Sequence, residues 1–409
     1  MIKHYVNGRL LVEGEIVEGS ILLSKDSIEK VYKKDETPEQ TPELVVDLSG
    51  KVIFPALINS HDHLYNTFWP RWGAGKFQNW YEWEDEFKSS EIFRQKQLLS
   101  VADLYALGMY RNLLSGVGLV VDHFPQEISA NFAGKPLIGL LENFCIAHSF
   151  SSRGLDWGEG IEEELKKSKN LLPFIIHAGE GFDSEITHEI ESLNRMGALG
   201  ENTVLVLGPG VSESDLDLIA SKKSSVVWVA QSNQFVFGKA IPVEKILNSE
   251  IKMCIGTDNA LTGGINMLEE MRFIRKLSRE TLGSRLQAKE IIAMATRTAG
   301  EIFRIEKFGK IAPGAFANLV AFDDTGKDPF DAFLDLTPKG VSLVVHKGML
   351  VYGDEKFRNY CSADFSQFSE ITVDGIPKII WGKPLNLLDR IENKLGEPVK
   401  FPFLPIAEG

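Results

Sequence analysis

Cysteine is scarce in this chain. Cys145, Cys254 and Cys361 are the only three in 409 residues and stand far apart, which excludes a disulfide framework and a cysteine-based metal site. They read as small apolar groups in a reducing compartment. Positive charge is short as well: 44 Lys and Arg face 57 Asp and Glu, a formal net charge of −13, and no Lys/Arg-rich run breaks the deficit. That argues against a nucleic-acid surface. Long apolar runs are missing too. None approaches the ~20 residues that span a bilayer, and Met1-Ile2-Lys3-His4-Tyr5 lacks the apolar centre of a signal peptide. The expectation is a cytoplasmic protein with neither a membrane nor a nucleic acid as partner. What is present, 44% hydrophobic and 25% charged residues, is an ordinary globular composition, in a chain long enough for one large domain plus a smaller one.

Both ends of the chain are β-rich. Residues 5–12 read as a hairpin turning at Asn7-Gly8, and 20–23 and 44–47 as strands. The same pattern returns at 318–322 and 342–351. Between them, apolar strands at 52–58, 117–122, 136–142, 173–177, 203–207, 225–229 and 253–257 alternate with helical stretches at 91–114, 160–168, 185–196, 213–222, 242–248, 265–277 and 287–302. Such alternation argues for parallel βαβ units. The fold class is therefore α/β: a TIM-like barrel with a small composite β-sandwich built from both chain ends. The boundaries fall at 1–52 (sandwich, first part), 53–305 (barrel), 306–355 (sandwich, second part) and 356–409, a C-terminal extension with a helix at 384–394. One strand is short of the barrel's eight, since 143–172 is too brief for a helix-strand-helix and the fourth strand is missing or disguised.

A barrel of this kind places its site at the carboxyl ends of its strands. There the sequence puts His61-Asp62-His63, His177 and Asp258, each closing an apolar run. In a strand, residues i and i+2 point to one face, so His61 and His63 can converge on one ion. Three imidazoles and a carboxylate suit one divalent metal, zinc before iron, with bonds of roughly 2.0–2.2 Å and a position left for water. Such an ion lowers the pKa of its water towards about 7. Glu180, three residues past His177, is placed to shuttle a proton, and Asp258 to bind metal and accept one. Singly, each has a plainer reading: His177 as a buried structural histidine, Asp258 as a helix cap, Glu180 as a solvated loop carboxylate. Together they favour metal.

The chain resembles the amidohydrolase superfamily, in the branch of cytosine-, guanine- and S-adenosylhomocysteine-deaminase-like and triazine-hydrolase-like enzymes. The resemblance rests on the segment from Pro55 to Leu64, on His177-Ala178-Gly179-Glu180, Ser232-Asn233 and Gly256-Thr257-Asp258-Asn259-Ala260, and on Ala295-Thr296 to Gly300 and Gly309 to Val320. It covers about residues 1–352 and implies a (β/α)8 barrel, a composite sandwich, a divalent metal and hydrolysis at carbon-nitrogen bonds.

Two departures stand out. In that branch strand six usually ends in a histidine that meets the metal-bound water or the substrate; here Leu207 stands in its place. Losing one pre-organised polar group costs on the order of 10²–10³ in rate, or roughly 3–4 kcal/mol. Strand seven reads Val229-Ala230-Gln231-Ser232, and Gln231 offers an amide to the site or stays on its rim. No lysine ends strand four, so one metal is read rather than two. His123, ending the run 118–122, is the stand-in for the missing histidine; His148 and His188 read as solvated, His4 and His346 as structural.

After His63 comes an aromatic loop containing Tyr65, Phe68, Trp69, Trp72, Phe77, Trp80, Tyr81 and Trp83. Trp69 and Trp83 are the candidates for stacking on a planar small-molecule substrate. Alternatively the loop packs on the barrel or on a second subunit, since family members often form homodimers. Arg71 either holds a carboxylate or faces solvent. Two functions follow: a metal-dependent hydrolase that deaminates an aminated heterocycle or amidine, or a catalytically weakened relative, motivated by Leu207, with a binding or regulatory role.

Overall fold

Eight short, almost wholly buried strands carry the site: β1 (Leu57–Asp62), β2 (Val117–Asp122), β3 (Gly139–Leu140), β4 (Cys145–Ser149), β5 (Phe174–Ala178), β6 (Thr203–Leu207), β7 (Ser225–Trp228) and β8 (Met253–Ile255). The computed structural model describes residues 1–134, 137–151, 158–361 and 364–409. Runs of Val, Ile and Leu buried on both faces are what parallel strands covered by helices require. β1, β2 and β3 pair in parallel as one arc and β4 to β8 as a second, in chain order. The ends of the two arcs meet at β8 and β1. There the Asp258 N–H donates to the His61 carbonyl at 3.0 Å, and a Cβ on Gly256 would lie 2.7 Å from the His61 nitrogen. Only glycine permits that approach.

The eighth strand is β4, which the sequence pattern hides. Parallel strands are sought on either side of a helix, yet β3 and β4 are separated only by residues 141–144. The expected strand 136–142 shrinks to the two residues of β3, and its first residue lies outside the described ones.

The second layer is an eleven-stranded sheet drawn from both ends of the chain. Lys51–Pro55 pairs with Leu319–Asp323 on one side and Ile2–Val12 on the other, so the expected strand 52–58 is two strands, one per sheet. Phe54 joins the layers, packing against Phe322, Phe330 and Phe333 at ring distances of 5.3, 5.6 and 5.0 Å. The hairpin expected at Asn7-Gly8 is instead a β-bulge within the continuous strand Ile2–Val12: the register shifts between Tyr5 and Gly8, with Asn7 at φ 60°. The turn falls later, at Glu13-Gly14, both of positive φ.

Residues beyond 355 are not an appendage. Phe368–Val373, Ile376–Trp381 and Ile406–Glu408 extend the same sheet through Met349–Asp354. The helix Pro384–Leu395 docks on the barrel helix α3 (Val101–Leu113), where Arg390 and Lys394 donate to Asp103 at 3.0 and 2.7 Å. Phe401 then packs 5.8 Å from Trp69. A chain ending at residue 361 is expected to lose its cooperative thermal transition by circular dichroism; an unchanged Tm would mean that the sheet is complete without this segment.

Candidate metal centre and cavity

Side-chain alternation decides what reaches the interior of the barrel. Ile58, Val121, Ile146, Ile175 and Val206 share one apolar layer; two places past the last four stand His123, His148, His177 and Gly208, while on β1 a register shift between Asn59 and Asp62 brings His61, three places past Ile58, into the same group. His61 and His63 (β1 and just after), His123 (after β2), His148 (β4) and His177 (β5) consequently form one cluster. His177 lies with its ring centroid 4.6 Å from His61, 4.6 Å from His123, 5.7 Å from His63 and 5.7 Å from His148.

The nitrogens of His61, His63 and His177 lie within 4.8 Å of one another. His61 Nε2 and His63 Nε2 are 3.1 Å apart, and Asp258 Oδ1 stands 3.7 and 3.3 Å from them. Four ligands bound tetrahedrally at about 2.0–2.1 Å would be spaced by roughly 3.3 Å, so this donor set fits a zinc-sized ion. His177 Nε2, buried without a hydrogen-bond partner, fits it too. Asp258 is held with φ 55°, a left-handed conformation that few residues accept, while its Oδ2 accepts from Ser232 Oγ at 2.5 Å and Thr262 Oγ1 at 3.0 Å. The carboxylate is thus aimed by backbone and side-chain bonds together.

Electrostatics favours the ligand-competent forms of His61, His63 and Asp258. Burial pushes His61 well below its ordinary pKa, with His177 and His63 adding to it, and pushes His63 down to about 4. Neutral imidazole is the form that binds a metal. For Asp258, burial alone would raise the carboxyl, but His63 and His177 outweigh it and lower it. At His177 burial opposes a proton, yet Glu180, whose Oε2 is 2.9 Å from Nδ1, and then Asp258 raise its pKa.

Behind these groups lies a fixed frame. Asp62 points away from the two histidines that flank it. Arg111 Nη1 donates to Asp62 Oδ1 at 2.8 Å, and Asn112 Nδ2 to Oδ2 at 2.7 Å. The same guanidinium donates to the carbonyls of Gly264 and Ile265, at 2.7 and 2.9 Å, past the end of β8.

A cavity of about 330 Å³ opens over the centre, lined by His63, His177, Glu180, Asp258 and His148, with Trp80 and Trp83 among its aromatic walls. Trp83 stacks on Phe87 at 5.3 Å and donates through Nε1 to the Trp72 carbonyl at 3.0 Å. Three other sequence expectations need correction. Trp69 does not line this cavity; it packs on Phe68 and Phe401. Gln231 does not line it either, because its amide is engaged by Glu270 at 3.0 Å and by Arg71. Arg71 lies outside the cavity with its side chain 37% exposed, as one sequence reading had it, and bridges Gln231, the Gly263 carbonyl and Glu269. His123 touches the His61 and His177 rings yet lies behind the cavity wall.

Sequence reasoning missed His148. It is no solvated loop residue: it lines the cavity 4.9 Å from Trp80, with Nδ1 3.1 Å from Ser149 Oγ. Ser149 donates its hydrogen to the Ser151 carbonyl at 3.0 Å, which leaves its oxygen to accept from His148 Nδ1. The signal was present in Cys145-Ile146-Ala147-His148, an apolar run ending in a histidine like the others. His188 lies on an exposed turn with Nδ1 bonded to the Ser184 carbonyl.

Leu207 needs the largest correction. Leu205 and Leu207 belong to the outer apolar layer with Ile176 and Ala178, whereas Val204 and Val206 face inward with Ile175. The inward position at the end of β6 is therefore Gly208, where a Cβ would run into the Gly179 carbonyl and the Glu180 Cα. Leucine 207 took no polar group from the cavity.

Strand-end histidines on a (β/α)8 framework with a composite sheet define the class to which this chain is similar throughout. Residues 170–351 match the amidohydrolase family. The chain is 24% identical over 373 residues to the 5-methylthioadenosine/S-adenosylhomocysteine deaminase of Pyrococcus furiosus, covering 76% of this chain and 84% of that protein. It is likewise 24% identical over 359 residues to the 5'-deoxyadenosine deaminase of Methanothermobacter thermautotrophicus, covering 76% and 82%. Among solved structures, zinc-bound atrazine chlorohydrolase TrzN of Arthrobacter aurescens superposes with a TM-score of 0.72 at 14% identity, over 96% of this chain and all of that one (100%). The chain is similar to the amidohydrolase family over residues 170–351 and to these deaminases over about three quarters of its length, in keeping with the resemblance its motifs implied, and together they indicate a hydrolytic enzyme. Among the described residues no helix is long and apolar enough to cross a membrane.

An Arg111→Met variant would leave the Asp62 carboxylate buried without its cation. Urea unfolding is expected to show a loss of about 3–5 kcal/mol. A loss below ~1 kcal/mol would mean that Asn112 and Asn59 hold Asp62 unaided.

Proposed function

We propose that this protein is a metal-dependent deaminase that replaces the exocyclic amino group of a planar aminated heterocycle, or of an amidine, by oxygen and releases ammonia. The observation that carries the reading is the convergence of His61, His63, His177 and Asp258, from three separate strands, on the floor of one aromatic-walled cavity. The deaminase relatives that act on adenosine-type compounds favour an aminated purine within that class.

His61, His63, His177 and Asp258 would hold one divalent ion, zinc before iron. When bound, such an ion supplies a Lewis acid and brings the pKa of water towards about 7. Trp80 and Trp83 orient the flat ring over the floor by stacking. Asp258, already accepting two hydroxyl hydrogen bonds on Oδ2, offers Oδ1 to a proton released as water attacks the sp² carbon. Glu180, at the cavity wall beside His177, carries a proton to the departing nitrogen, so that the carbon-nitrogen bond breaks with ammonia as the leaving group. His148 presents its imidazole to the cavity from β4, where β6 has no room for one.

The weakened-relative reading loses its basis, because Leu207 faces the helices. Leu207→His would bury an imidazole in the outer apolar layer. It is expected to cost roughly 1–3 kcal/mol of stability and to gain no activity; a rise in turnover would restore that reading.

Elemental analysis of protein purified without chelator should give about one zinc or iron per chain, lost in His61→Ala with the circular-dichroism spectrum retained. Glu180→Gln is expected to keep the metal and lose on the order of 10²–10⁴ in kcat on an aminated-purine panel. Folded protein that binds no added zinc or iron, or metal-loaded protein that turns over no aminated heterocycle or amidine, would sink the proposal.

A further inference from the structure

We propose that Lys96 is an anion-binding residue of this cavity, so that the substrate of the proposed deamination carries a carboxylate or phosphate group that pairs with its ammonium. The inference rests on the reading of the cavity as the substrate site.

Lys96 lies on α2 (Glu91–Gln97) and lines the cavity, yet it is only 2% exposed. Lysines usually bury their stem and leave the head in water. Here the head is enclosed too, and among the described residues its ammonium makes no ion pair or hydrogen bond to an acidic side chain. Its Nζ sits 3.5 Å from the centroid of the Tyr65 ring. A cation over an aromatic face is stabilised there, but an aromatic face does not neutralise it.

The other charged groups on the same wall are satisfied. Lys88 pairs with Glu84 at 3.2 Å, Glu180 lies against His177, and Asp258 is bonded to Ser232 and Thr262. Lys96 is the exception, and a buried unpaired cation is costly to keep. A ligand that brings its own anion would offset that cost on binding. Position supports this: Tyr65 stands two residues after His63, so the ammonium flanks the strand that carries the metal-binding histidines. An anion held by Lys96 and a ring held by Trp80 and Trp83 would be fixed at two points above the same floor.

The test is calorimetric binding of benzoate, phenyl phosphate and neutral benzamide to the full-length zinc-loaded chain, its Lys96→Met variant and its Lys223→Met variant, with metal content measured on each sample. Lys96→Met is expected to raise Kd for benzoate or phenyl phosphate at least about tenfold. Benzamide should be unaffected by Lys96→Met, and all three probes by Lys223→Met, a lysine outside the cavity that pairs with Glu201 at 2.8 Å. The anion that loses more tells carboxylate from phosphate. Equal affinity of Lys96→Met and the natural chain for both anions, or no preference of the natural chain for either anion over benzamide, overturns the proposal. Methionine should leave Tm unchanged or higher; a lower Tm with unchanged Kd would assign Lys96 a structural role. The comparison repeated on metal-free chain still decides for Lys96 if zinc fails to load, an outcome that would count against the deaminase reading alone.

Discussion

The contact on which the centre depends is the ion pair between Asp62 and Arg111, with side chains 0% and 1% exposed. Alternation along β1 sends His61 and His63 into the barrel and Asp62 the other way. A carboxylate so deeply buried is tolerated only with a cation and further donors, and it has Arg111, Asn112 and Asn59. Arg111 belongs to α3, and its remaining donors reach carbonyls just past β8. One planar guanidinium thus fixes the histidine strand, the following helix and the loop behind Asp258 relative to one another. Its forked, rigid donor geometry suits that task in a way lysine would not. A pair of this kind adds little net stability over an apolar substitute; its consequence is positional, because metal ligands must be placed to within a few tenths of an ångström.

A second constraint works by absence of side chains. The end of β6 packs backbone to backbone on the loop after β5: Gly208 faces Gly179 and Glu180, and Gly210 faces Gly181. Glycine is the residue that allows such an approach. The loop carrying Glu180 is drawn inward, and the inward place on β6 is closed to any side chain. The imidazole that another arrangement could put there arises on β4 instead, as His148. The wall of the cavity has been redistributed among strands while its floor is kept.

What was legible in the sequence follows from this. The histidines and the aspartate of the floor lie at the ends of apolar runs, and the two-residue repeat of a strand is enough to group His61 with His63. The α/β alternation was legible for the same reason, since helices of ordinary length separate most of the strands. Facing was not legible at β6: Leu207 aligns with a histidine by motif, and only pairing with β5 shows that its neighbour Gly208 is the inward residue. β4 was hidden by the lack of a preceding helix, and His148 with it. Long-range partners were equally invisible. Trp69 is turned to Phe401, over three hundred residues away, and Gln231 to Glu270, so neither the aromatic nor the amide is available to a ligand. Asn7-Gly8 is a strong turn signal in isolation, yet the strand continues through it because Leu44–Asp47 and Lys51–Pro55 hold both halves in one sheet.

The terminal segment belongs to the same chain of contacts. Arg390 and Lys394 grip Asp103 at the start of α3, and Arg111, near the end of that helix, grips Asp62. A rigid helix of 13 residues thereby links the far end of the chain to the strand that leads to His61 and His63. Phe401 meanwhile props Trp69, six residues past His63, against Phe68. Removing the segment would loosen both the helix that positions Asp62 and the loop that covers the cavity, without altering a single residue of the site. The centre is local in its chemistry, but its geometry is set by contacts that span nearly the whole chain.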